Sequence, residues 1–211
     1  MFNKNSLLLY AVTDRSWLKS GETLADAVKK ALEGGVTLVQ LREKNISTEN
    51  FIKSAIEIKA ICKQYNVPLI INDNVDVCLA ADADGVHLGQ GDMPVREARM
   101  LLGSSKIIGI TAKTPEQAIE AQNSGADYLG SGAVFGTSTK SDAKKMSIET
   151  LKSITEAVSI PVVAIGGINS SNIEQLAGSG ISGAAVVSGI FAADDITAEA
   201  KKIKEKIGSL V

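Results

Sequence analysis

A repeated pattern dominates the sequence: a helical segment closes on a glycine, and a short apolar run follows at once. The pattern recurs as ALEGGVTLVQL from Ala31, AADADGVHLG from Ala80, AQNSGADYLGSG from Ala121 and LAGSGISGAAVV from Leu176. Glycine tolerates the left-handed conformation that closes an α-helix, so we expect it to be the C-cap residue of each repeat. Helices that alternate with short apolar runs are typical of α/β proteins with a buried parallel sheet.

Counting every apolar run predicts eight strands, each followed by a helix. The predicted strands are 7–12, 37–42, 69–72, 85–88, 107–111, 128–131, 162–165 and 184–187. The predicted helices lie near 23–33, 48–64, 75–80, 94–102, 115–123, 147–157, 170–177 and 195–208. Eight β–α pairs in 211 residues favour one (β/α)8 TIM barrel that covers 1–211 as a single domain. An open doubly wound sheet is the main alternative, but it more often uses five or six strands.

Charge and composition exclude several classes of partner. The formal net charge of −2 supplies no global basic field, so we expect no nucleic acid and no acidic membrane as a partner. No apolar run approaches the ~20 residues of a membrane span, and MFNKNSLLLYAVTD is typical of a first strand rather than a signal peptide. The thiols of Cys62 and Cys78 fit a reducing compartment, without a disulfide or metal role. We therefore expect a cytoplasmic protein.

The loop after the sixth predicted strand has the composition of a phosphate site. Gly132 and Gly136 allow the backbone to approach a ligand closely. The loop then offers three hydroxyls and one cation, at Thr137, Ser138, Thr139 and Lys140. Many small donors around one amine suit a phosphate oxyanion, although the spacing is not that of a Walker A motif. The alternative is a surface loop whose polar residues meet water.

The end of the second predicted strand is unusually polar. Because side chains alternate along a strand, Gln40, Arg42 and Lys44 share one face, whereas Val39 and Leu41 face the helices. In a barrel of this kind the working face lies at the carboxyl ends of the strands. We therefore expect these three donors to project into the barrel mouth, with a solvated strand end as the alternative.

Two aspartates follow neighbouring strands. Asp73 comes directly after the third predicted strand, and Asp92 follows the fourth, so their carboxylates can converge. Mg2+ is usually held by one or two carboxylates together with phosphate oxygens and water, whereas zinc would require Cys or several His. The alternative is that both aspartates cap the helices that follow. His87 is the one histidine, and we expect a hydrogen-bonding role for it rather than that of a general base.

The last strands also end in groups suited to anions. Thr111 places a hydroxyl at the end of the fifth predicted strand, and Gly166 and Gly167 follow the seventh. Ser188 stands after the eighth strand, where barrels of this class commonly bind phosphate. Together with the loop after the sixth strand, these residues predict two anion sites beside one divalent metal.

At this point the chain resembles the thiamine-phosphate synthase family. The motifs that carry the resemblance are QLREK at Gln40, ND at Asn72, HLGQ-x-D from His87, TSTKSDA from Thr137, IGGI at Ile165 and VSGI at Val187. They occur in the family's order, at the expected strand ends, and cover essentially the whole chain. The resemblance implies a transferase of thiamine biosynthesis. It would couple a pyrimidine diphosphate to thiazole phosphate, or to its carboxylated form, with release of pyrophosphate and formation of a pyrimidine methylene cation.

The resemblance also implies a role for each site residue. The pyrimidine diphosphate would be held by Gln40, Arg42, Lys44, Asn72, Thr111 and Lys140, of which Arg42, Lys44 and Lys140 stabilise the leaving group. The thiazole phosphate would be held by Thr137, Ser138, Thr139, Gly167, Val187 and Ser188. Mg2+ would be held by Asp73 and Asp92. The oligomeric state stays open, with a homo-oligomer as one option.

Two segments depart from the family's usual pattern. The family usually has a serine followed by Ala-His-Thr after strand five, whereas this chain has Thr111 followed by Ala-Lys-Thr, with Lys113 in place of the histidine. Ala133 and Gly136 stand where prolines are usual.

Two other functions remain as alternatives. They are a thiazole tautomerase of the same barrel family, which would need a well-placed acid–base residue, and a phosphate-binding protein without catalysis.

Overall fold

The computed structural model describes residues 3–136 and 145–211, and these form a closed parallel barrel surrounded by helices. The strands are β1 (Leu9–Val12), β2 (Leu38–Leu41), β3 (Leu69–Asn72), β4 (Gly85–Leu88), β5 (Ile107–Thr111), β6 (Tyr128–Gly132), β7 (Val162–Ile165) and β8 (Gly183–Val186). The helices are α1 (Leu24–Glu33), α2 (Thr48–Gln64), α3 (Val75–Ala80), α4 (Val95–Leu102), α5 (Pro115–Asn123), α6 (Ile148–Ala157), α7 (Ser188–Phe191) and α8 (Ile196–Gly208).

The strands follow one another around the barrel in chain order, and β1 closes it by pairing with β8. Every pairing is parallel, so the carboxyl ends of the strands meet at one rim. The predicted (β/α)8 barrel is therefore confirmed, and the open sheet is excluded.

Alternation along the strands divides the apolar side chains into two layers. On β2, Val39 and Leu41 belong to the larger layer between the barrel and its helices, and Leu38 belongs to the smaller layer inside the barrel. The inner layer consists of Leu7, Tyr10, Val12, Leu38, Ile70, Tyr128, Val163 and Ala185. Gln40 lies between Val39 and Leu41, so its side chain shares the inner face, as the alternation predicts.

Helix starts follow the local chemistry of the sequence. Ser47 caps α2 by accepting a hydrogen bond from a backbone N–H, and Thr114 caps α5 in the same way, with Pro115 at the first helical position. These caps satisfy backbone donors that have no partner inside the helix. Both predicted helix starts are confirmed.

Three features differ from the predictions by more than a one-residue shift of a boundary, each for a local reason. The first strand begins at Leu9 because Asn3 caps a 3-10 helix, Lys4–Leu7, whose Leu7 fills the interior of the barrel. In the second repeat Gly85 begins β4 and is not a cap. Asp82 takes the left-handed conformation there, with φ 48°.

The third difference is the predicted helix 170–177, which is only a 3-10 helix, Ile173–Leu176. The side chains of Asn169 and Asn172 hydrogen-bond to backbone groups of the preceding loop, and Asn172 Nδ2 donates to the Gly167 oxygen at 2.8 Å. Short polar side chains that bind nearby backbone compete with helix formation. The short helix α7, between β8 and α8, was not predicted.

None of the helices within 3–136 and 145–211 is both long enough and apolar enough to cross a membrane.

Candidate active site

A cavity of about 380 Å³ opens at the carboxyl ends of the barrel strands. Most of the residues predicted for the site line it: Gln40, Arg42, Asn72, Asp73, Asp92, Thr111, Gly167, Val187 and Ser188. A larger groove of about 790 Å³ lies beside it, lined largely by α4, α5 and the segment that leads into α4. The smaller cavity is the better candidate because it collects the cations, carboxylates and hydroxyls of the strand ends.

Arg42 follows β2 with its side chain only 15% exposed. Its Nη1 lies 3.5 Å from Oδ2 of Asp14, and its backbone N–H donates to the hydroxyl of Thr13 at 3.0 Å. Its Nε is buried and has no hydrogen-bond partner among the residues that the structure describes. A buried donor is normally satisfied, so the unpartnered nitrogen marks Arg42, which lines the cavity, as an unusual residue of the site.

Lys44 and Asp73 form an ion pair at the rim, with Nζ 3.1 Å from Oδ2. Lys44 does not itself line the cavity, and its side chain is about half exposed. Asp73 has φ 62°, in the left-handed region, and its backbone N–H donates to the oxygen of His87 at 2.8 Å. With this backbone conformation the Asp73 side chain faces the mouth of the cavity, and Asp73 is one of the residues that line the cavity.

The two carboxyl groups of Asp73 and Asp92 are within hydrogen-bonding contact of each other. Burial by itself would raise the pKa of Asp73, but hydrogen bonds from Lys44, Asp92 and Asn72 outweigh it, and the pKa lies below its ordinary value. Burial raises the pKa of Asp92, and the nearby Asp73 carboxylate adds to that rise. Two close carboxyls whose pKa values shift in opposite directions are a like-charge pair that titrates together.

The alternative that these aspartates cap helices is wrong. Asn74 caps α3 through its own side chain, and Pro94 precedes α4 without a side-chain hydrogen bond. Asp92 Oδ2 instead accepts the backbone N–H of Gly89 at 2.7 Å. Neither carboxylate is used as a helix cap, so both are available to bind a ligand at the rim.

A line of hydrogen bonds crosses the barrel beneath the cavity. Gln40 Nε2 donates to the hydroxyl of Tyr10, and the Tyr10 and Tyr128 hydroxyls lie 2.8 Å apart. His87 places Nδ1 3.0 Å from the Tyr128 hydroxyl and Nε2 3.0 Å from the Thr111 hydroxyl. Both ring nitrogens of His87 thus take part in hydrogen bonds, the role expected for it from the sequence.

Two glycines make room for the aromatic members of this line. A Cβ atom on Gly109 would lie 2.1 Å from the Tyr128 ring, and one on Gly130 would lie 3.0 Å from the His87 ring. These inward positions on β5 and β6 therefore tolerate no side chain in the present arrangement.

The opposite side of the cavity carries Gly167, Val187 and Ser188. Gly167 has φ 67°, and a Cβ there would lie 2.4 Å from the oxygen of Gly136, so the loops after β6 and β7 touch through glycine. The remaining predicted site residues, Thr137, Ser138, Thr139 and Lys140, lie outside the described residues.

Sequence reasoning missed several residues of the cavity. Tyr10, which lines the cavity, was counted only as an apolar strand residue, because a strand buried on both faces gives no sequence signal for an inward position. Gln90 Nε2 donates to the backbone oxygen of Thr111 at 2.7 Å, and Gln117 Oε1 accepts the backbone N–H of Lys113 at 2.8 Å. Lys113, noted as a departure from the family pattern, lines the cavity as well.

The family model described as thiamine monophosphate synthase matches residues 9–190 of the chain. The chain is 54% identical over 205 residues to a thiamine-phosphate synthase of Ruminiclostridium cellulolyticum, with 97% of each chain covered. It is 52% identical over 197 residues to one of Clostridium tetani, covering 93% of this chain and 94% of the relative.

Among solved structures, thiamine phosphate pyrophosphorylase from Pyrococcus furiosus superposes with a TM-score of 0.91 at 38% identity. The superposition covers 99% of this chain and 98% of that structure. The relatives and the superposed structure confirm the resemblance predicted from the motifs. With a family match across most of its length, the chain belongs to the thiamine monophosphate synthase family.

Proposed function

We propose that the chain couples 4-amino-2-methyl-5-hydroxymethylpyrimidine diphosphate to thiazole phosphate and releases thiamine phosphate and pyrophosphate; with the carboxylated form of the thiazole phosphate, carbon dioxide is released as well. Family membership supports the reaction. The observation that carries the assignment of the site is the cavity at the barrel rim. It brings an under-satisfied guanidinium, a carboxylate pair and a glycine-rich far wall into one space of about 380 Å³.

Arg42 and Lys44 are the proposed partners of the pyrimidine diphosphate. The buried Nε of Arg42 would gain an acceptor from a phosphate oxygen, because a guanidinium offers several donors in one plane. Lys44 lies at the rim beside Asp73. Its side chain is about half exposed, so its ammonium group has room to move with the pyrophosphate as it leaves. Gln40, Asn72 and Thr111 would hold the rest of this substrate, and Lys140 is proposed as a third cation.

Asp73 and Asp92 fit a divalent cation. Two contacting carboxyls with opposed pKa shifts are stabilised together when a cation binds both. Within the described residues no group of three or more His, Cys, Asp or Glu could hold a metal, so zinc is a poor fit. We propose Mg2+, completed by substrate oxygens and water. When bound, it would neutralise charge on the diphosphate.

The proposed reaction needs no proton transfer at the bond that breaks. The methylene C–O bond of the pyrimidine ester breaks, and its electron pair leaves with pyrophosphate. The lone pair of the thiazole nitrogen then forms the new C–N bond. Fixed positive groups that face the leaving oxygens can supply the catalysis electrostatically, with Arg42 and Lys44 in that role.

The thiazole phosphate would occupy the opposite wall. Gly167 lets the loop after β7 approach closely, and Val187 and Ser188 present the backbone that follows β8 to the cavity. The hydroxyls of Thr137, Ser138 and Thr139 are proposed as further donors. No observation favours the tautomerase alternative, since both nitrogens of His87 are hydrogen-bonded and position 113 is a lysine.

We infer a cytoplasmic location from the thiols. Cys62 and Cys78 are both free and buried, as expected of a protein made in a reducing compartment. The proposed substrates are small metabolites, which agrees with a cytoplasmic location.

A coupling assay tests the proposal. The purified chain is incubated with both substrates and Mg2+, and thiamine phosphate and pyrophosphate are quantified, with each substrate omitted in turn. We expect equal amounts of both products, and none when either substrate is missing. Asp73→Asn should abolish most turnover, whereas Asp76→Asn, at an exposed position on α3, should not. Pyrophosphate release without thiamine phosphate, or full activity of Asp73→Asn in chelator, would contradict the proposal.

A further inference from the structure

The guanidinium of Arg42 has few restraints of its own. Its Nη1 has one long contact, 3.5 Å from Oδ2 of Asp14, and its Nε has no hydrogen-bond partner among the described residues. An arginine side chain has several rotatable bonds, so one long contact does not fix the direction in which it points. The placement of Arg42 therefore depends on its backbone and on the residues beside it in the chain.

The backbone of Arg42 is bound to the segment that follows β1. The hydroxyl of Thr13 accepts the Arg42 N–H at 3.0 Å and donates to the Arg42 oxygen at 3.4 Å. The N–H of Thr13 in turn donates to the oxygen of Gln40 at 2.9 Å. The two segments thus stay side by side beyond the last residues of β1 and β2, which are Val12 and Leu41.

An ion pair fastens the residue that follows Arg42. Nε of Arg15 lies 2.8 Å and 2.9 Å from the two carboxylate oxygens of Glu43, and Nη2 lies 2.7 Å from Oε1. The Glu43 side chain is only 2% exposed. Arg15 begins a 3-10 helix that Asp14 caps, and its Nη2 also donates to the hydroxyl of Ser54 on α2 at 3.3 Å. A guanidinium that binds both oxygens of a carboxylate fixes its geometry as well as its charge.

The alternative is that the Arg15–Glu43 pair only stabilises the fold. A buried ion pair is weak evidence of stability, because the cost of desolvating the charges offsets their attraction. Stability alone therefore gives a poor reason for a buried carboxylate directly after an arginine that lines the cavity.

We propose that Arg15 and Glu43 are positioning residues that hold Arg42 at the cavity, with its guanidinium placed for the leaving pyrophosphate. Because Glu43 follows Arg42 directly, its anchored side chain prevents the backbone of Arg42 from shifting away from the cavity. A displacement of about 1 Å at a catalytic group can cost about 10²-fold in rate, so this restraint matters for turnover. The inference deepens the proposed function and rests on it, since the contact of Arg42 with pyrophosphate belongs to that proposal.

Glu43→Gln tests the inference with little change of shape. The amide of the new side chain places a donor against the guanidinium of Arg15, so the carboxylate is no longer bound through both oxygens. We expect kcat for coupling, with both substrates saturating, to fall by about 10–100-fold. Urea unfolding of the same preparation establishes that the variant is folded. A kcat within about twofold of the wild-type value would overturn the inference.

The ion pair of Glu22 with Lys30 provides a matched control. The Glu22 and Lys30 side chains are 8% and 49% exposed and lie 2.6 Å apart, whereas those of Glu43 and Arg15 are 2% and 46% exposed. Neither Glu22 nor Lys30 lines the cavity. Glu22→Gln should therefore keep kcat within about twofold of the wild-type value. A loss as large as that of Glu43→Gln would show that the effect is not specific to Arg42, and it would overturn the inference.

A double-mutant cycle with Arg42→Met tests whether the pair acts through Arg42. Once the guanidinium is absent, its placement no longer matters, so Glu43→Gln should cost less than about threefold in kcat in that background. A general structural defect would lower kcat by the same factor in both backgrounds. That result would refute the positioning role.

Arg15→Lys decides if Glu43→Gln fails to fold. Lysine keeps the positive charge but lacks the planar fork that binds both carboxylate oxygens. We expect this variant to lower kcat by about 10-fold in the wild-type background and by less than about threefold in the Arg42→Met background. Equal losses in the two backgrounds would again refute the positioning role.

Crystal structures separate this inference from the proposed function. In the folded Glu43→Gln or Arg15→Lys variant we expect the Arg42 guanidinium to be displaced by about 1 Å or more from its wild-type position, or to lack a single position. An Arg42 side chain that stays in place would overturn the inference, whatever the activity. If the wild-type chain makes no thiamine phosphate, the proposed function fails, and the position of Arg42 in these structures alone decides whether the pair holds it.

Discussion

Arg42→Met should separate activity from stability, with a large loss of the first and a small change in the second. The substitution removes a guanidinium that is 15% exposed and replaces it with an unbranched apolar chain. The substrate-free protein loses a buried donor without a described partner. In the role proposed for Arg42, the enzyme also loses a contact to the leaving group. Few substitutions in the site separate the two effects as clearly.

The expected change in the free energy of unfolding follows from the contacts of Arg42. An unpartnered buried donor costs about 1–3 kcal/mol, and the substitution removes that cost. Its ion pair with Asp14, at 3.5 Å, joins side chains that are only 15% and 17% exposed, so its loss costs more than the about 1 kcal/mol of a surface pair. Asp14 keeps its hydrogen bonds from the N–H and hydroxyl of Ser16, which limits that cost. The two contributions oppose each other, so we expect the free energy of unfolding to stay within about 2 kcal/mol of the wild-type value.

The activity term follows from the proposed role. Removing one fixed donor that faces developing negative charge costs about 2.7–4 kcal/mol, a fall of about 10²–10³ in kcat. The same substitution at Arg15 gives the contrast. Arg15 binds Glu43, whose side chain is 2% exposed, at 2.7 Å. Arg15→Met leaves that buried carboxylate alone, so stability should fall, by about 1–3 kcal/mol after allowance for the exposure of Arg15.

Urea unfolding without ligands gives the stability of both variants, and steady-state coupling gives kcat/KM. Arg42→Met should show a fall of about 10²–10³ in turnover, with a free energy of unfolding within about 2 kcal/mol of the wild-type value. The reasoning is refuted if Arg42→Met keeps turnover near that of the wild type. It is also refuted if Arg42→Met loses more stability than Arg15→Met.

Three further predictions concern other parts of the molecule. Gly132→Ala would place a methyl carbon 1.9 Å from a backbone oxygen of β7, so it should lower the thermal midpoint and reduce the free energy of unfolding by about 1–3 kcal/mol or more. Gly208→Ala, where the methyl carbon would have nothing within 4 Å, should not lower the midpoint. Burial raises the pKa of Cys62 to about 12 and that of Cys78 to about 11, so neither thiol should react with a disulfide reagent at pH 8 until the chain unfolds; rapid labelling of the native protein would contradict this. Burial raises the pKa of Asp92, so on acidification its carboxylate should take up a proton at a pH above the ordinary carboxyl pKa of about 3.9. We expect metal-supported turnover to fall in that pH range, before circular dichroism reports unfolding. Equal loss of activity and of structure with pH would argue against the last prediction.

The barrel could be predicted because its strands are continuous apolar runs separated by helix caps. The strand β3 was predicted at its observed bounds, and β2 was predicted within one residue at each end. The rim could be predicted because polar residues interrupt those runs at strand ends, where Arg42 and Asp73 stand. A charged residue directly after a buried strand stands out against the apolar run before it, so the sequence signal is strong there.

What could not be predicted depends on contacts between distant segments. The pairing of Tyr10 with Tyr128 requires the barrel to be closed, since 118 residues separate them. On a strand buried on both faces, an inward tyrosine and an outward one look alike in the sequence. The loss of the helix predicted at 170–177 depends on side-chain hydrogen bonds from Asn169 and Asn172, which compete locally with a pattern that is otherwise helical.

A crystal structure of the chain with thiamine phosphate, pyrophosphate and Mg2+ tests the central claim most directly. We predict a cation bound by carboxylate oxygens of both Asp73 and Asp92, at about 2.0–2.1 Å. Pyrophosphate should bridge that cation and the side chain of Arg42, with the phosphate of the product on the side of Gly167. A cation bound away from both aspartates, or pyrophosphate in the groove between α4 and α5, would contradict the account.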